Sequence, residues 1–203
     1  MQFFVYLCKE FHFYKKQHFT LRNRQNTMVT IKDKQFKLYL TADQIEEKVS
    51  ALAERLNADY AGKCPLLLGT LNGAFIFAAD LVRHLTFEHE IQFVKYSSYR
   101  GMNSTGKVNE LIGLKEDISG RDIIVVEDIV DTGITMSQTI PYIKSKGANT
   151  VEIATLLSKP NKRTVDIDVK YCAMEIPNDF IVGYGLDYDE LGRNLKDIYV
   201  VTE

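Results

Sequence analysis

The chain has 203 residues, 45% of them hydrophobic and 26% charged, and its formal net charge is −2. This length suits a single domain with its own hydrophobic core. A charge so close to zero gives no reason to expect nucleic acid or an anionic membrane as a partner. No apolar run approaches the roughly 18 residues of a membrane span. Cys8, Cys64 and Cys172 lack C-x-x-C spacing, which predicts reduced thiols and a cytoplasmic protein.

Residues 1–27 differ in composition from the rest of the chain. They combine aromatic side chains with lysines and arginines, and Glu10 is their only acidic residue. The apolar patch Phe3–Cys8 has no preceding positive region and no small-residue cleavage site, so a secretory signal is not predicted. A basic aromatic surface helix is one interpretation. We favour the other, in which residues 1–27 are an atypical extension without function and one domain occupies residues 28–203.

The first well-marked helix begins after Thr41. Thr41–Gln44 fits a capping box, and the apolar residues that follow recur at helical spacing. This stripe consists of Ile45, Val49, Leu52 and Leu56. The helix is predicted to end within residues 57–62 and to serve as scaffold.

A strand is predicted over Pro65–Leu71, followed by the turn Asn72–Ala74 and an apolar helix over Phe75–Leu85. Turns that follow parallel strands lie at the same edge of a sheet. The turn Asn72–Ala74 is therefore expected to lie beside any site formed by the other strand ends.

A further strand is predicted over Glu90–Ser97, and a long polar loop over Ser98–Leu114. Long loops of this kind in compact domains are usually lids or binding loops. Gly101–Lys107 matches the G-x-x-x-x-G-K pattern of nucleotide-binding loops. The next residue is Val108, where such loops need Ser or Thr to hold Mg²⁺, so we reject this interpretation.

The most informative stretch is Ile123–Met136. Its β-branched start is typical of a strand buried on both faces within a parallel sheet. Glu127 and Asp128 close this strand, and Asp131 begins a short turn that leads into a helix. Ligands of open α/β sheets lie in the crevice beyond such strand ends.

The residues of this turn suggest a ligand. Thr132, Gly133 and Thr135 place hydroxyl and backbone N–H groups at a helix N-terminus, where a phosphate is favoured. Glu127 and Asp128 are acceptors suited to paired sugar hydroxyls, or to Mg²⁺ held through water. Together these groups suit a sugar phosphate.

The remaining pattern alternates strands and helices. A helix is predicted over about Ile134–Lys146, with Pro141 expected to bend it, and strands over Val151–Leu157, Tyr171–Ile176 and Ile198–Val201. Such alternation predicts an α/β fold, a doubly wound and mainly parallel sheet with a small C-terminal hood.

The run Val125–Met136 resembles the phosphoribosyl-pyrophosphate (PRPP) motif of the type I phosphoribosyltransferases. The sequence Val-Val-Glu-Asp-Ile-Val-Asp-Thr-Gly within this run resembles the hypoxanthine-guanine members most. The same members are also resembled at Ser98-Tyr99, at Lys159 and over the segment Phe180–Arg193. The resemblance implies purine salvage, the Mg²⁺-dependent transfer of 5-phosphoribose from PRPP to N9 of hypoxanthine or guanine.

The same resemblance implies roles for individual residues. Asp131 would be the catalytic base. The ribose-phosphate ligands would be Glu127, Asp128, Asp131, Thr132, Gly133, Ile134 and Thr135. Pyrophosphate would bind Leu71, Asn72, Gly73 and Arg193, with a non-proline cis peptide at Leu71-Asn72. The purine would bind Lys159, Phe180 and Ile181, the lid would carry Ser98 and Tyr99, and Mg²⁺ would be held by Glu127, Asp128 and Asp187.

Some choices stay open at this point. Some relatives have a lysine where this chain has Asn72, which leaves only backbone N–H groups in the pyrophosphate turn. A transcriptional regulator that binds PRPP with little catalysis is the alternative function, although no basic face or helix-turn-helix pattern supports it. Preference among hypoxanthine, guanine and xanthine is not determined. The resemblance implies a homodimer or homotetramer.

Overall fold

The computed structural model describes residues 28–97, 109–114 and 117–202. The N-terminal extension, the two lid residues Ser98 and Tyr99 and the rejected Gly101–Lys107 pattern lie outside these ranges. In chain order the elements are β1 (Met28–Ile31), β2 (Lys34–Leu40), α1 (Ala42–Asp59), β3 (Leu66–Thr70), α2 (Phe75–His84), β4 (Glu90–Ser97), β5 (Asn109–Ile112), β6 (Asp122–Val130), α3 (Ile134–Ser145), β7 (Thr150–Ser158), a 3₁₀ turn (Pro160–Lys162), β8 (Tyr171–Glu175), β9 (Ile181–Val182) and β10 (Ile198–Val201).

The larger sheet has the strand order β5-β4-β3-β6-β7-β8. All neighbouring pairs are parallel except β4 and β5, which are antiparallel. The predicted long loop over Ser98–Leu114 is therefore wrong at its end, since β5 lies within it. The short sequence Asn109–Ile112 has little alternation of its own, and it forms a strand because β4 offers an unpaired edge.

Both faces of this sheet are covered. Ile124 and Val126 of β6 belong to the hydrophobic cluster shared with α1 and α2, whereas Ile123 and Val125 belong to the cluster shared with α3. Successive strand residues point to opposite faces, so an unbroken apolar strand fills two cores at once. The predicted doubly wound sheet is confirmed. Pro141 lies inside α3, as predicted.

The predicted hood is a separate four-stranded antiparallel sheet with the order β1-β2-β10-β9. Its core combines buried residues from both ends of the described chain, namely Ile31, Phe36, Val182 and Tyr199. The sequence pattern predicted the C-terminal part of this unit. Strands β1 and β2 complete the hood and were not predicted, because a short edge hairpin carries little periodicity.

The N-terminus of α1 is capped by its own residues and hydrogen-bonded to the hood. Thr41 forms the predicted capping box, in which its Oγ1 accepts a hydrogen bond from the Gln44 amide and Gln44 Oε1 accepts one from the Thr41 amide. Asp197, which precedes β10, accepts a second hydrogen bond, 2.7 Å long, from the Ala42 amide. Three amides at the start of the helix, those of Thr41, Ala42 and Gln44, thereby gain acceptors, and the Ala42 bond joins the helix to the hood.

Within the described ranges, no helix combines the length and the apolar character that crossing a bilayer requires. The two described cysteines, Cys64 and Cys172, are both free thiols.

We expect Thr41→Ala to lower the free energy of unfolding by about 1 kcal/mol, because the side chain that accepts the Gln44 amide is lost. Urea denaturation followed by circular dichroism measures this change. Thr41→Ser keeps the hydroxyl and is the matched control, expected to stay close to the unsubstituted protein. An equal loss in both variants would contradict the capping role.

Candidate active site

Three loops meet at the carboxyl edge of the parallel sheet, beneath the hood. They are residues 71–74 after β3, residues 131–133 after β6 and residues 159–162 after β7. Parallel pairing of β3 with β6 and of β6 with β7 brings their carboxyl ends to one edge. The crevice lies where ligands of open α/β sheets are expected.

The loop after β6 leads into the N-terminus of α3. Gly133 is the N-cap of this helix with φ of 82° and has no side chain to cap the first turn, while the Ile134 amide donates a long hydrogen bond, 3.4 Å, to Thr132 Oγ1. A Cβ at Gly133 would lie 3.0 Å from the Val165 side chain, so both the backbone angle and the packing require glycine. Thr132 and Thr135 flank it, and Thr135 is exposed. The backbone N–H groups of this helix N-terminus and the two hydroxyls fit a phosphate.

Glu127 and Asp128 form a pair of neighbouring carboxylates near the end of β6. Burial, and then the charge of Asp128, raises the pKa of Glu127 well above its usual value. Burial also raises the pKa of Asp128, although the hydrogen bond with Glu127, backbone hydrogen bonds and, least, the charge of Arg193 oppose the shift. Glu127 Oε2 is buried without a hydrogen-bond partner among the described residues. Such an orphaned oxygen is costly in the free protein and is relieved by a donor or cation on the ligand.

The turn after β3 packs directly on this pair. The peptide bond between Leu71 and Asn72 is cis, as the family resemblance implied. A Cβ at Gly73 would overlap the Asp128 carboxylate, and a Cβ at Gly185 of the hood would overlap the Gly73 carbonyl. The two glycines therefore allow the carboxylate pair, the turn and the hood to touch through backbone.

Asn72 leaves the turn without a charge of its own, but a cation lies beside it. Lys95 Nζ on β4 lies 3.4 Å from Asn72 Oδ1, and the Leu71 amide donates a 2.8 Å hydrogen bond to the Val94 carbonyl. Lys95 forms no ion pair with any described residue. Sequence reasoning missed Lys95 because only the pairing of β3 with β4 brings it to the turn.

Asp131 lies between two lysines. Its Oδ2 is 2.7 Å from Lys162 Nζ and 3.9 Å from Lys159 Nζ, while its Oδ1 is buried without a hydrogen-bond partner in the described chain. Lys159 is 4% exposed, and burial lowers its pKa against the opposing charge of Asp131. A buried lysine and a free carboxylate oxygen thus face the same crevice. Lys162 was not predicted.

An aromatic patch borders the crevice on the hood side. Phe180 is 44% exposed, and its ring centroid lies 6.3 Å from that of Phe36 and 5.8 Å from that of Tyr188. The neighbouring Ile181 is buried in β9, with its backbone in the hood sheet. An exposed ring held by two others is a ready platform for a flat heterocycle. The tertiary contacts of Phe36 and Tyr188 could not be inferred from spacing.

Arg193 and Asp187 are paired in the hood. Arg193 Nη2 lies 2.8 Å from Asp187 Oδ1 and 3.0 Å from Glu190 Oε2, and Nη1 donates to the Gly185 carbonyl. In the described part of the chain, no three His, Cys, Asp or Glu side chains form a metal-binding group. Mg²⁺ is commonly held by one or two carboxylates together with substrate oxygens, so the orphaned Glu127 oxygen and Asp187 fit that kind of site.

Comparison with known proteins agrees with this geometry. Residues 37–189 match the family model described as "Phosphoribosyl transferase domain". The hypoxanthine-guanine phosphoribosyltransferase of Streptococcus agalactiae is 45% identical over 82% of this chain and 93% of its own length. The Bacillus anthracis hypoxanthine-guanine phosphoribosyltransferase structure is 38% identical with a TM-score of 0.78, and covers 82% of this chain and 98% of its own. The Staphylococcus aureus hypoxanthine phosphoribosyltransferase structure is 35% identical with a TM-score of 0.78, and the match covers 91% of this chain and 96% of that structure's chain.

The matched span contains β6 with its carboxylate pair, the loop that leads into α3, Lys159 and Lys162, and the hood residues Phe180 and Tyr188. The chain therefore belongs to the phosphoribosyl transferase family, as a relative of its hypoxanthine-guanine phosphoribosyltransferases.

Proposed function

We propose that this protein is a purine-salvage enzyme that transfers 5-phosphoribose from PRPP to N9 of hypoxanthine, and of guanine, with release of pyrophosphate. One observation carries the proposal. A single strand-loop-helix unit, β6 to α3, places a half-buried carboxylate pair, a helix N-terminus that begins at a glycine and a carboxylate with an unpaired oxygen along one crevice. The reaction is inferred from the family relationship, and these groups suit the phosphate and the sugar hydroxyls of PRPP.

The chemistry follows from where these groups lie. N9 of the base bonds to C1 of the ribose, the C1–O bond to pyrophosphate breaks with its electron pair leaving on pyrophosphate, and the N7 proton passes to Asp131. Asp131 Oδ1 has no partner to displace before it accepts that proton. Thr132, Gly133, Ile134 and Thr135 hold the 5′-phosphate, so the reacting carbon is held in place through the far end of the sugar.

The purine is held by groups from two units. Phe180 stacks on the ring, an interaction worth about 1–3 kcal/mol by analogy with base stacking. Lys159 donates to the carbonyl at C6, and the backbone at Ile181 reads the other edge. An adenine amino group would face the buried cation without an acceptor, a mismatch costing about 1–3 kcal/mol.

The departing pyrophosphate binds at residues 71–73, and we add Lys95 as its nearby cation. Arg193 is held by Asp187 and Glu190, so it must exchange these partners to reach the pyrophosphate. Mg²⁺, when bound, neutralises charge on the pyrophosphate. Asp187, Glu127 and Asp128 are the residues that would hold it. Ser98 and Tyr99 are assigned to a lid that excludes water.

The wider setting is also proposed. Free thiols in the described chain support a reducing, cytoplasmic location. The partners are PRPP and a 6-oxopurine, with no role for nucleic acid or a membrane, and the assembly is a homodimer or homotetramer.

We expect turnover of hypoxanthine or guanine, but not of adenine, in a spectrophotometric assay with PRPP and Mg²⁺. Hypoxanthine, guanine, xanthine and adenine are offered separately, and an assay without PRPP is the control. If the protein binds PRPP but turns over none of the four bases, the proposed enzymatic function is refuted and a regulatory function is favoured.

We expect Asp131→Asn to lower kcat by about 10²–10⁴-fold, because it keeps the shape of the side chain but removes the base. The KM for PRPP should change little, and steady-state kinetics separate the two. Asp122→Asn is the control, since Asp122 lies at the opposite end of β6 and should leave kcat unaltered. Equal losses in kcat and in PRPP binding would argue against a base.

We expect Lys95→Gln to raise the KM for PRPP by about tenfold, because a charge-assisted hydrogen bond is worth about 1.5–3 kcal/mol. The KM for hypoxanthine should stay the same, and Lys95→Arg should recover most of the affinity. A PRPP affinity that is insensitive to both substitutions would show that backbone groups suffice in the Asn72 turn.

A further inference from the structure

A single 3₁₀ turn follows Lys159 and brings a second lysine to the catalytic carboxylate. The turn is Pro160–Lys162, and the Lys162 amide donates a 3.0 Å hydrogen bond to the Lys159 carbonyl. Lys159 immediately precedes the turn, and the ammonium groups of Lys159 and Lys162 both approach Asp131 Oδ2.

The two lysines are not equivalent. Lys162 makes the short contact of 2.7 Å with Asp131 Oδ2, and its side chain is 43% exposed. Lys159 is buried and stands 3.9 Å from the same oxygen. Lys162 takes the short contact with Asp131, and the ion pair formed by Lys159 in the described chain is the longer one, 3.9 Å, to the same oxygen. The Lys162 ion pair leaves Oδ1 as the unpaired oxygen of Asp131.

Backbone and side-chain hydrogen bonds hold this turn in place. The Lys159 amide donates to the Val130 carbonyl at 2.9 Å, and the Thr164 amide donates to the Thr132 carbonyl at 3.0 Å. Arg163, next to Lys162, donates to Ser158 Oγ and to the Ile167 carbonyl. Lys162 is thus carried by a turn that is fixed on both sides to the loop that contains Asp131.

We propose that Lys162 is a positioning residue for phosphoribosyl transfer. By binding Asp131 Oδ2 it directs Oδ1 towards the N7 proton of the purine, and it keeps Lys159 free for the carbonyl at C6. This inference rests on the proposed function. Without Lys162, the ammonium of Lys159 closes on Asp131, and one change impairs both the base and the purine ligand.

The test compares four single variants and one double variant by steady-state kinetics, with hypoxanthine and PRPP each varied, and by thermal unfolding. Lys162→Met removes the charge at similar length, Lys162→Arg restores it, and Lys159→Met removes the purine ligand. Lys170→Met is the matched control, because Lys170 forms a similar ion pair with Asp59, 3.3 Å long, with a side chain 44% exposed. Lys170 precedes β8, at the amino edge of the sheet.

We expect Lys162→Met to lower kcat/KM for hypoxanthine by about tenfold or more, since it disturbs a base whose action is worth about 10²–10⁴-fold. The KM for PRPP should stay within about twofold, the precision of such a comparison. Lys162→Arg should recover most of the loss, and Lys170→Met should show none. The double variant of Lys162 and Lys159 should lose less than the product of the single losses, because the two residues act on one group.

An unimpaired Lys162→Met in an active enzyme would overturn the inference alone. Equal impairment of Lys162→Arg and Lys162→Met, or a matching rise in the KM for PRPP, would also overturn it by indicating general damage. If the double variant lost as much kcat/KM as the product of the two single losses, the coupling between Lys162 and Lys159 would be refuted. Unsubstituted protein that transfers no phosphoribose to any 6-oxopurine would overturn the proposed function, and the inference with it.

Discussion

The close approach of Asp128 to the backbone of Gly73 is the contact on which the site depends. A Cβ at Gly73 would overlap that carboxylate, and one at Gly185 would overlap the Gly73 carbonyl. Two missing side chains therefore let the end of β6, the turn after β3 and the hood meet at one place. Protein interiors are packed too tightly for a side chain to be added there without displacing one of the three.

The charges around this contact are arranged for a ligand that is both acidic and rich in hydroxyl groups. Burial raises the pKa of both Glu127 and Asp128. The cations stand further along the edge, with Lys95 beside the turn and Lys159 and Lys162 around Asp131. An acidic substrate thus meets positive groups at its ends and acceptors at its sugar.

In the proposed function the hood supplies the stacking surface for the purine, and the packing of the hood holds that surface in place. Phe36 from β2 and Tyr188 from the hood support Phe180, so the exposed ring is held by residues from both ends of the described chain. The Ala42–Asp197 hydrogen bond then ties this small sheet to the first helix of the larger one. Rigid support of this kind favours a platform that is formed before the ligand arrives.

The sequence by itself determined the parallel core and the chemistry of β6 with its loop, because both are local. An apolar run buried on two faces, a capping box at Thr41 and a glycine before α3 each act through neighbouring residues. The family resemblance suggested which residues would bind the purine. Only tertiary structure decided which distant groups meet: Lys95 reaches Asn72 through strand pairing, Lys162 reaches Asp131 through a 3₁₀ turn, and β1 and β2 complete the hood. The spacing of residues along the chain does not show which distant residues the folded structure brings into contact.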